Sequence, residues 1–239
     1  EILQVILNNK KLVVLSTNSQ FSTKNLQGRS CMLDAKCQLE DGRIVNIEVQ
    51  RADDDDHQRR VRYNGALLTT NLTNPSTKFA EIPDVIVVFI SKFDVFKSSK
   101  TLYHIDRIIR ETGKAVDNGF EEVYVNAEID DDSDVARLMN VFNTDTAYDD
   151  EKFPVTSAYK RRYKTTEEGV REMCEVIERN RAEGRAEGRA EGRAIGLIEG
   201  RAELITNMLK NQMKPEQIAK IANMTVEQII SIGKKAAVL

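Results

Sequence analysis

The sequence predicts an α/β fold with a mixed sheet, followed by an all-helical C-terminal extension. Two runs of alternating polarity before residue 51 are typical of strands, a later Val/Ile run is typical of a buried strand, and helix formers dominate from about residue 166. The order strand, strand, helix, strand indicates an α/β fold. With 239 residues, we expect one good-sized domain over 1–165, a charged helix over 166–212 and a helical hairpin over 213–239.

Composition argues against several classes of protein. The net charge is only −3, so DNA binding would need local basic patches. Three cysteines without CxxC spacing argue against a disulfide scaffold or a zinc ribbon and favour a reducing cytoplasm. Two histidines leave little material for a His-based zinc site, and the longest apolar run, residues 85–90, is too short to span a membrane.

The first two predicted strands form a hairpin. Odd-numbered positions over 31–39 are apolar or small, and over 44–50 the apolar positions alternate with Asn46, Glu48 and Gln50. An Asp-Gly pair between the two runs is a strong turn signal. We therefore expect Asp34, Glu48 and Gln50 on the polar faces of two adjacent antiparallel strands, where cross-strand neighbours lie about 5 Å apart.

The rest of the first part alternates helices and strands. The chain opens without Met in an apolar, helix-like pattern over residues 1–7, so we expect natural N-terminal residues to be missing. An Asn-Gly turn signal precedes the last predicted strand. The further predicted elements are a helix over 57–72, a central strand over 84–90, a strand over about 101–109, a strand over 122–127 and a helix over 133–142.

Arg-Ala-Glu-Gly repeats begin at residue 181 and recur with a period of four. Two interpretations compete: a long helix that packs its glycine column against a partner, or a frayed linker. Ala, Glu and Arg favour the helix, although each Gly costs about 1 kcal/mol relative to Ala. We expect a homo-oligomer through the C-terminal helices, although the period of four gives no clear heptad seam.

The last segment predicts two short helices. Pro215 begins the first, and Thr225 to Gln228 form a capping box that begins the second. The pattern is typical of a helix-turn-helix. However, the second helix, predicted over 225–232, carries no Arg or Lys, which makes it a poor reader of a DNA groove. A structural or dimerisation hairpin is the favoured interpretation, and a DNA reader is the alternative.

Asp34, Glu48 and Gln50 form the most informative pattern in the chain. Mg²⁺ prefers hard oxygen ligands and takes one or two carboxylates together with phosphate oxygens, as a metal-dependent phosphodiesterase requires. Arg60 and Tyr63 follow on the predicted helix and share a face. Each residue also has a simpler interpretation. A strand acid is usually just solvated, Arg60 is equally suited to pair with Glu48, and Tyr63 suits the edge of a core.

These residues, with Leu33-Asp34, Ile44 to Gln50 and Arg59 to Tyr63 as motifs, resemble the recombination-promoting nuclease and transposase family of the PD-(D/E)XK nuclease superfamily. The resemblance covers about residues 1–165. It implies a restriction-endonuclease-like core that cleaves DNA in recombination or transposition of mobile DNA, with Mg²⁺ as the cation and Mn²⁺ as the alternative.

The resemblance also assigns roles. Asp34 would match the first metal-binding acid and Glu48 the second, and Gln50 would stand where many superfamily members have Lys. Arg60 and Tyr63 would match the motif on the following helix. Because Gln50 is not a cation, it can only orient and hydrogen-bond. The alternative is a catalytically inactive DNA-binding or oligomeric protein that keeps the nuclease fold.

Four other features have weaker interpretations. Asp84, in the only Pro-Asp pair, is interpreted as a strand-entry residue, since no acid-x-Lys follows it at useful spacing. The acidic segment 53–56 lacks the glycine and closing glutamate of an EF-hand and is interpreted as a solvated loop. Lys36 is a weak candidate for a displaced positive charge. The basic run 160–164 is interpreted as solvated, with DNA contact as the alternative.

Overall fold

The computed structural model describes residues 1–23, 31–54 and 56–236. The contacts divide the chain into two units, Glu1–Arg161 and Arg162–Leu239. The first unit contains the sheet and the second is helical. No helix among the described residues is both long enough and apolar enough to cross a membrane.

The main sheet is mixed, as the sequence predicts. The spatial order of its six strands is β1-β2-β3-β4-β8-β5, and β6 and β7 form a separate two-stranded ladder. The central strands β3, β4 and β8 are parallel, whereas β1, β2 and β5 pair antiparallel with their neighbours. The strands are β1 (Val14–Thr23), β2 (Cys31–Leu39), β3 (Ile44–Gln50), β4 (Val85–Ser91), β5 (Leu102–Ile105), β6 (Arg107–Ile108), β7 (Ala115–Val116) and β8 (Phe120–Asn126).

Helices cover both faces of this sheet, so each face has its own apolar core. The helices that begin in the first unit are α1 (Ile2–Ile6), α2 (His57–Leu72), α3 (Asp134–Asn143) and α4 (Pro154–Thr165), and those of the second unit are α5 (Glu167–Lys210), α6 (Pro215–Ala222) and α7 (Val226–Lys235). One core joins α1 and α3 to the sheet, and the other joins α2 to the opposite face. Every residue of β4 from Val85 to Phe89 is buried, which confirms the predicted central strand.

Helix α2 approaches the sheet closely. Its N-terminus is capped by Asp56, whose side chain accepts a hydrogen bond from the Arg59 main-chain N–H at 3.0 Å. At Gly65, an added Cβ would lie 2.2 Å from Cε2 of Phe120. The missing side chain at Gly65 therefore lets the helix pack closely against Phe120 of β8 and Val87 of β4.

Several predictions of elements need correction. The strand predicted over 101–109 is two strands in different sheets, since β5 leaves β8 after Ile105 and β6 then pairs with β7. Neither β1 nor α4 was predicted from the sequence. For β1 the reason is that this largely polar strand lacks clear alternation. Helix α7 continues to Lys235, so Lys234 and Lys235 lie in its last turn, whereas a groove reader uses its first turns.

In the second unit, α5 is a continuous helix of 44 residues, as the helical interpretation of the repeats predicts, whereas packing of the glycine column against a partner stays a prediction. Its end packs with α6 and α7 around a small core that includes Ile205, Ile218 and Ile229. The predicted capping box is present, since Thr225 and Gln228 exchange two hydrogen bonds. The side chains of many repeat residues over 176–195 lie outside the described part of the chain.

Candidate functional site

Asp34 lies where strand β2 separates from β3. The pairing of the two strands runs from Gln38 opposite Ile44 to Ala35 opposite Ile47 and stops there. One residue further along β2, Oδ2 of Asp34 accepts a hydrogen bond of 2.8 Å from the Val49 main-chain N–H. A carboxylate therefore takes the place of the next main-chain acceptor, and the sheet opens at this point.

Glu48 lies in β3 beneath α2 and is only 1% exposed. The prediction of a polar face is therefore wrong for Glu48, because α2 covers this face and excludes water from it. Oε1 of Glu48 accepts a hydrogen bond of 2.9 Å from Nδ2 of Asn46, which is also fully buried. Oε2 is buried and has no hydrogen-bond partner among the described residues. A buried carboxylate oxygen without a donor is costly unless a cation or a proton satisfies it.

The surroundings of Glu48 raise its pKa from the ordinary value of 4.5 to about 7. Burial is the largest cause, because it disfavours the charged form. The hydrogen bond from Asn46 opposes the shift, the negative charge of Asp34 adds to it, and the positive charge of Arg60 opposes it. The two carboxylates are therefore near enough to repel one another.

Arg60, on the first turns of α2, links Glu48 to Gln50. Its Nη1 donates a hydrogen bond of 3.0 Å to Oε1 of Gln50, and its Nη2 lies 3.7 Å from Oε2 of Glu48. Gln50 Nε2 donates in turn to the Ala52 carbonyl at 3.0 Å and to Oδ1 of Asp54 at 3.2 Å. The guanidinium is thus held in place at the site, while 39% of the Arg60 side chain stays exposed.

Helix α2 also brings Tyr63 and Asn64 to this end of the sheet. Tyr63 is half-buried, three residues after Arg60. Asn64 is buried, and its side chain lowers the pKa of Glu48. The sequence interpretation missed both asparagines of the site. Two patterns could have found them: Asn46 has the same strand parity as Glu48, and Asn64 follows Arg60 by one helical turn.

The acidic segment contributes more than a solvated loop. Asp53, Asp54 and Asp56 are exposed, as predicted, but each also has a partner. Asp53 contacts Nε2 of the buried His57 at 3.1 Å, Asp54 accepts from Gln50, and Asp56 caps α2. Asp55 lies outside the described residues. The segment therefore fixes the start of α2, and with it the position of Arg60.

The remaining candidates lie elsewhere or have other contacts. Asp84 directly precedes β4 and is aligned with the start of β3, whereas Glu48 is aligned with Phe89. Five residues of strand separate the two levels by roughly 16 Å. Lys36 lies opposite Asn46, but its Nζ sits 4.3 Å from the centroid of the Phe21 ring. These positions agree with the interpretation of Asp84 as a strand-entry residue and give Lys36 an alternative partner.

The basic run belongs to helix α4. Nζ of Lys160 donates to three main-chain carbonyls at and after the end of α3. Arg161 pairs with Asp150 at 2.6 Å, and Arg162 pairs with Glu172 at 2.7 Å. These contacts connect secondary-structure elements, so the run is not a simple solvated patch.

The donor set of the site suits a hard divalent cation. Each acid has one oxygen fixed by a donor from β3: Val49 holds Oδ2 of Asp34, and Asn46 holds Oε1 of Glu48. This leaves Oδ1 of Asp34 and Oε2 of Glu48 for a cation, and the Arg60 guanidinium lies 3.7 Å from Oε2. The described residues contain no group of three or more His, Cys, Asp or Glu side chains arranged to hold a metal. Two carboxylates fit Mg²⁺, which keeps water and phosphate oxygens as its other ligands.

One comparison with known proteins is informative. A family model described as PD-(D/E)XK nuclease family transposase matches residues 1–142, which is more than half of the chain. The matched residues include both acids, Gln50, Arg60 and Tyr63. No curated protein and no solved structure matches the chain significantly.

Proposed function

This chain belongs to the PD-(D/E)XK nuclease family of transposases, and on that premise we propose that it is a Mg²⁺-dependent DNA endonuclease acting in recombination or transposition. The observation that carries the proposal is the buried Glu48 carboxylate. Its Oε2 has no hydrogen-bond partner among the described residues, and its pKa is raised beside Asp34. Carboxylates with strongly perturbed pKa values are typical of catalytic sites. Mn²⁺ is an alternative cation.

Asp34 and Glu48 would hold the cation. When bound, the cation would polarise the scissile phosphate and lower the pKa of the attacking water. The hydrogen bond from Val49 fixes the orientation of Asp34, and the hydrogen bond from Asn46 fixes that of Glu48. The chain therefore contributes two acids that are oriented in advance, which reduces the reorganisation needed in the reaction.

Arg60 would bind a non-bridging phosphate oxygen. Its guanidinium has five donors, and it retains an exposed fraction after its contacts with Gln50 and Glu48. Because the Gln50 amide is held by Ala52 and Asp54 while its oxygen accepts from Arg60, we propose that Gln50 positions Arg60. Tyr63, one turn further along α2, would hydrogen-bond a phosphate or brace the site.

Nicking of supercoiled plasmid tests this proposal. Wild type should nick only with Mg²⁺ or Mn²⁺, and Asp34→Asn and Glu48→Gln should each lose nicking while remaining folded. Asp84→Asn is the matched control, since it removes an acid at the opposite end of the parallel strands β3 and β4. Equal nicking by wild type and Glu48→Gln would rule out Glu48 as a metal ligand.

A second candidate is a DNA-binding or oligomeric protein that keeps the nuclease fold without cleaving. The position of Lys36 favours it, because Lys36 sits over Phe21, and Gln50 supplies no charge. DNA binding by a folded wild type, without nicking in either metal and unchanged in Asp34→Asn, would establish this candidate.

We also propose that the protein is a cytoplasmic homo-oligomer assembled through its C-terminal helices. Within the part of the chain that the structure describes, Cys31, Cys37 and Cys174 form no disulfide, which suits a reducing compartment. Leu197 and Leu204 are exposed on α5 seven residues apart, the spacing of one position in successive heptads.

A further inference from the structure

The segment 92–100, here called the basic loop, begins beside the candidate site. It follows β4 directly, and in the parallel pairing of β3 with β4 the last aligned residues are Gln50 and Ser91. The Lys92 main-chain N–H donates a hydrogen bond of 3.1 Å to the Gln50 carbonyl. Since neighbouring strands lie about 4.8 Å apart, the loop leaves the sheet within a few ångströms of a site residue.

Hydrogen bonds centred on Asp94 hold the basic loop in one shape. Its carboxylate accepts from the main-chain N–H of Phe96 at 3.0 Å and from that of Ser99 at 2.7 Å. The Tyr103 hydroxyl donates to the same carboxylate at 2.8 Å and accepts from the Lys100 main-chain N–H at 3.0 Å. These contacts hold the backbone of the loop in one conformation.

Aromatic side chains anchor the underside of the loop. The centroid of the Phe93 ring lies 4.7 Å from that of the His57 ring, at the start of α2. The Phe96 ring lies 5.0 Å from Tyr103 and 4.9 Å from Tyr124. These contacts join the loop to the core on the α2 face, which is the face that carries Glu48.

The exposed side of the loop carries three lysines. Lys92, Lys97 and Lys100 are exposed, and within the described residues none of them makes an ion pair. Lys97 and Ser99 adopt positive φ angles of 52° and 55°, a conformation that non-glycine residues rarely adopt. Strained backbone of this kind persists only where surrounding contacts enforce it, and it clusters at binding sites.

We propose that the basic loop is a DNA-backbone clamp, in which Lys92, Lys97 and Lys100 bind phosphates next to the one that is cleaved. The partner is a polyanionic nucleic-acid backbone, recognised by charge and not by sequence. This inference rests on the proposed nuclease function, and it supplies the local positive charge that a chain of net charge −3 needs for DNA binding.

The test is DNA binding without cleavage. Fluorescence anisotropy with a 20-bp duplex in EDTA, over a range of KCl concentrations, would compare wild type with Lys92→Gln/Lys97→Gln/Lys100→Gln. Each phosphate contact contributes about 0.9 to the slope of log affinity against log salt, so the slope of the triple variant should fall by two to three. Its affinity at about 0.1 M salt should fall roughly tenfold or more.

A matched control removes three positive charges away from the candidate site. Lys10 and Lys11 lead into β1, whose start lies beside the end of β2 at Leu39, and Lys114 precedes β7. For Lys10→Gln/Lys11→Gln/Lys114→Gln, the slope of log affinity against log salt should differ from the wild-type slope by less than about one. Equal losses in the two triple variants, or binding by the loop variant that matches wild type, would overturn the clamp.

A second variant tests the shape of the loop without changing its charge. Tyr103→Phe removes the hydroxyl that bridges Asp94 and Lys100, so affinity should fall severalfold at an unchanged salt slope. Plasmid nicking by the same proteins separates the two proposals. Loop-dependent binding without nicking would keep the clamp and reject the nuclease. Metal-dependent nicking together with DNA binding that does not depend on the loop lysines would keep the nuclease and reject the clamp.

Discussion

The Asp34 carboxylate accepts a hydrogen bond from the Val49 main-chain N–H at 2.8 Å, across fifteen residues of sequence. This contact lies one residue beyond the last β2–β3 pair, Ala35 with Ile47. The same acid that is proposed to bind the cation therefore also completes the hydrogen bonding of β3. Its structural and catalytic contributions can be separated by substitution.

Asp34→Ala should cost about 1–2 kcal/mol in free energy of unfolding, because the Val49 N–H loses its acceptor. Asp34→Asn keeps an oxygen at this position and should stay within about 0.5 kcal/mol of wild type. Urea unfolding in EDTA measures both. If the asparagine variant were as unstable as the alanine variant, the charge and not the hydrogen bond would be the stabilising feature.

Glu48 should make the wild type less stable as the pH rises. Its folded pKa, about 7, lies above the ordinary value of 4.5, so the folded protein holds a proton that the unfolded chain has lost. Stability should fall between pH 4.5 and about 7, then level off, by on the order of 3 kcal/mol. Glu48→Gln should lack this loss. Urea unfolding in EDTA at pH 5, 6, 7 and 8 would compare the two, and parallel curves would contradict the raised pKa.

Protons and metal should compete at Glu48. A cation needs the ionised carboxylate, so at subsaturating Mg²⁺ the nicking rate should rise with pH through about 7. Saturating Mg²⁺ should move the midpoint to lower pH. Initial nicking rates across pH 5.5–8.5 at two Mg²⁺ concentrations check this. A midpoint that does not depend on Mg²⁺ would assign the titration to another group.

Gln50 and Arg60 should act as one unit. Arg60→Gln should lower kcat/KM roughly tenfold to a hundredfold through loss of a charge at the phosphate, and Gln50→Ala should lower it less. The double variant should be no worse than Arg60→Gln, since Gln50 acts through Arg60. Arg62→Gln, on the exposed side of α2, is the control. Additive losses would show that Gln50 has a separate role.

The exposed leucines of α5 should support self-association. Leu197 and Leu204 are 75% and 62% exposed, and Leu197→Gln/Leu204→Gln should shift the protein towards monomer without loss of helix. Sedimentation equilibrium and circular dichroism measure the two effects. Glu199→Gln/Glu203→Gln, on the same helix, is the control. A monomeric wild type would reject the oligomer.

Several features could be predicted from the sequence, because they depend on contacts local in the chain. The polarity of residues 31–50 indicated the β2–β3 hairpin, and the bounds predicted for α2 match the structure. The capping box at Thr225 is likewise a contact across three residues. The predicted mixed sheet also follows from the order of elements, since parallel strands need crossover connections.

Tertiary structure decided the environment of the acids. Alternation placed Glu48 on a polar face, but only the packing of α2 against that face, permitted by Gly65, buries it and raises its pKa. Likewise, the sequence gives no signal that the pairing of β2 with β3 ends at Ala35, next to the Asp34 carboxylate that accepts from Val49.

The sequence by itself thus determined which residue types are present and, through local periodicity, which strand or helix carries them. Only the tertiary structure decided that Arg60 reaches both Gln50 and Glu48, and that the basic loop starts beside them. The physical reason is that burial, Coulomb interaction and hydrogen bonding depend on distances between elements, and these are fixed when the helices and strands pack together.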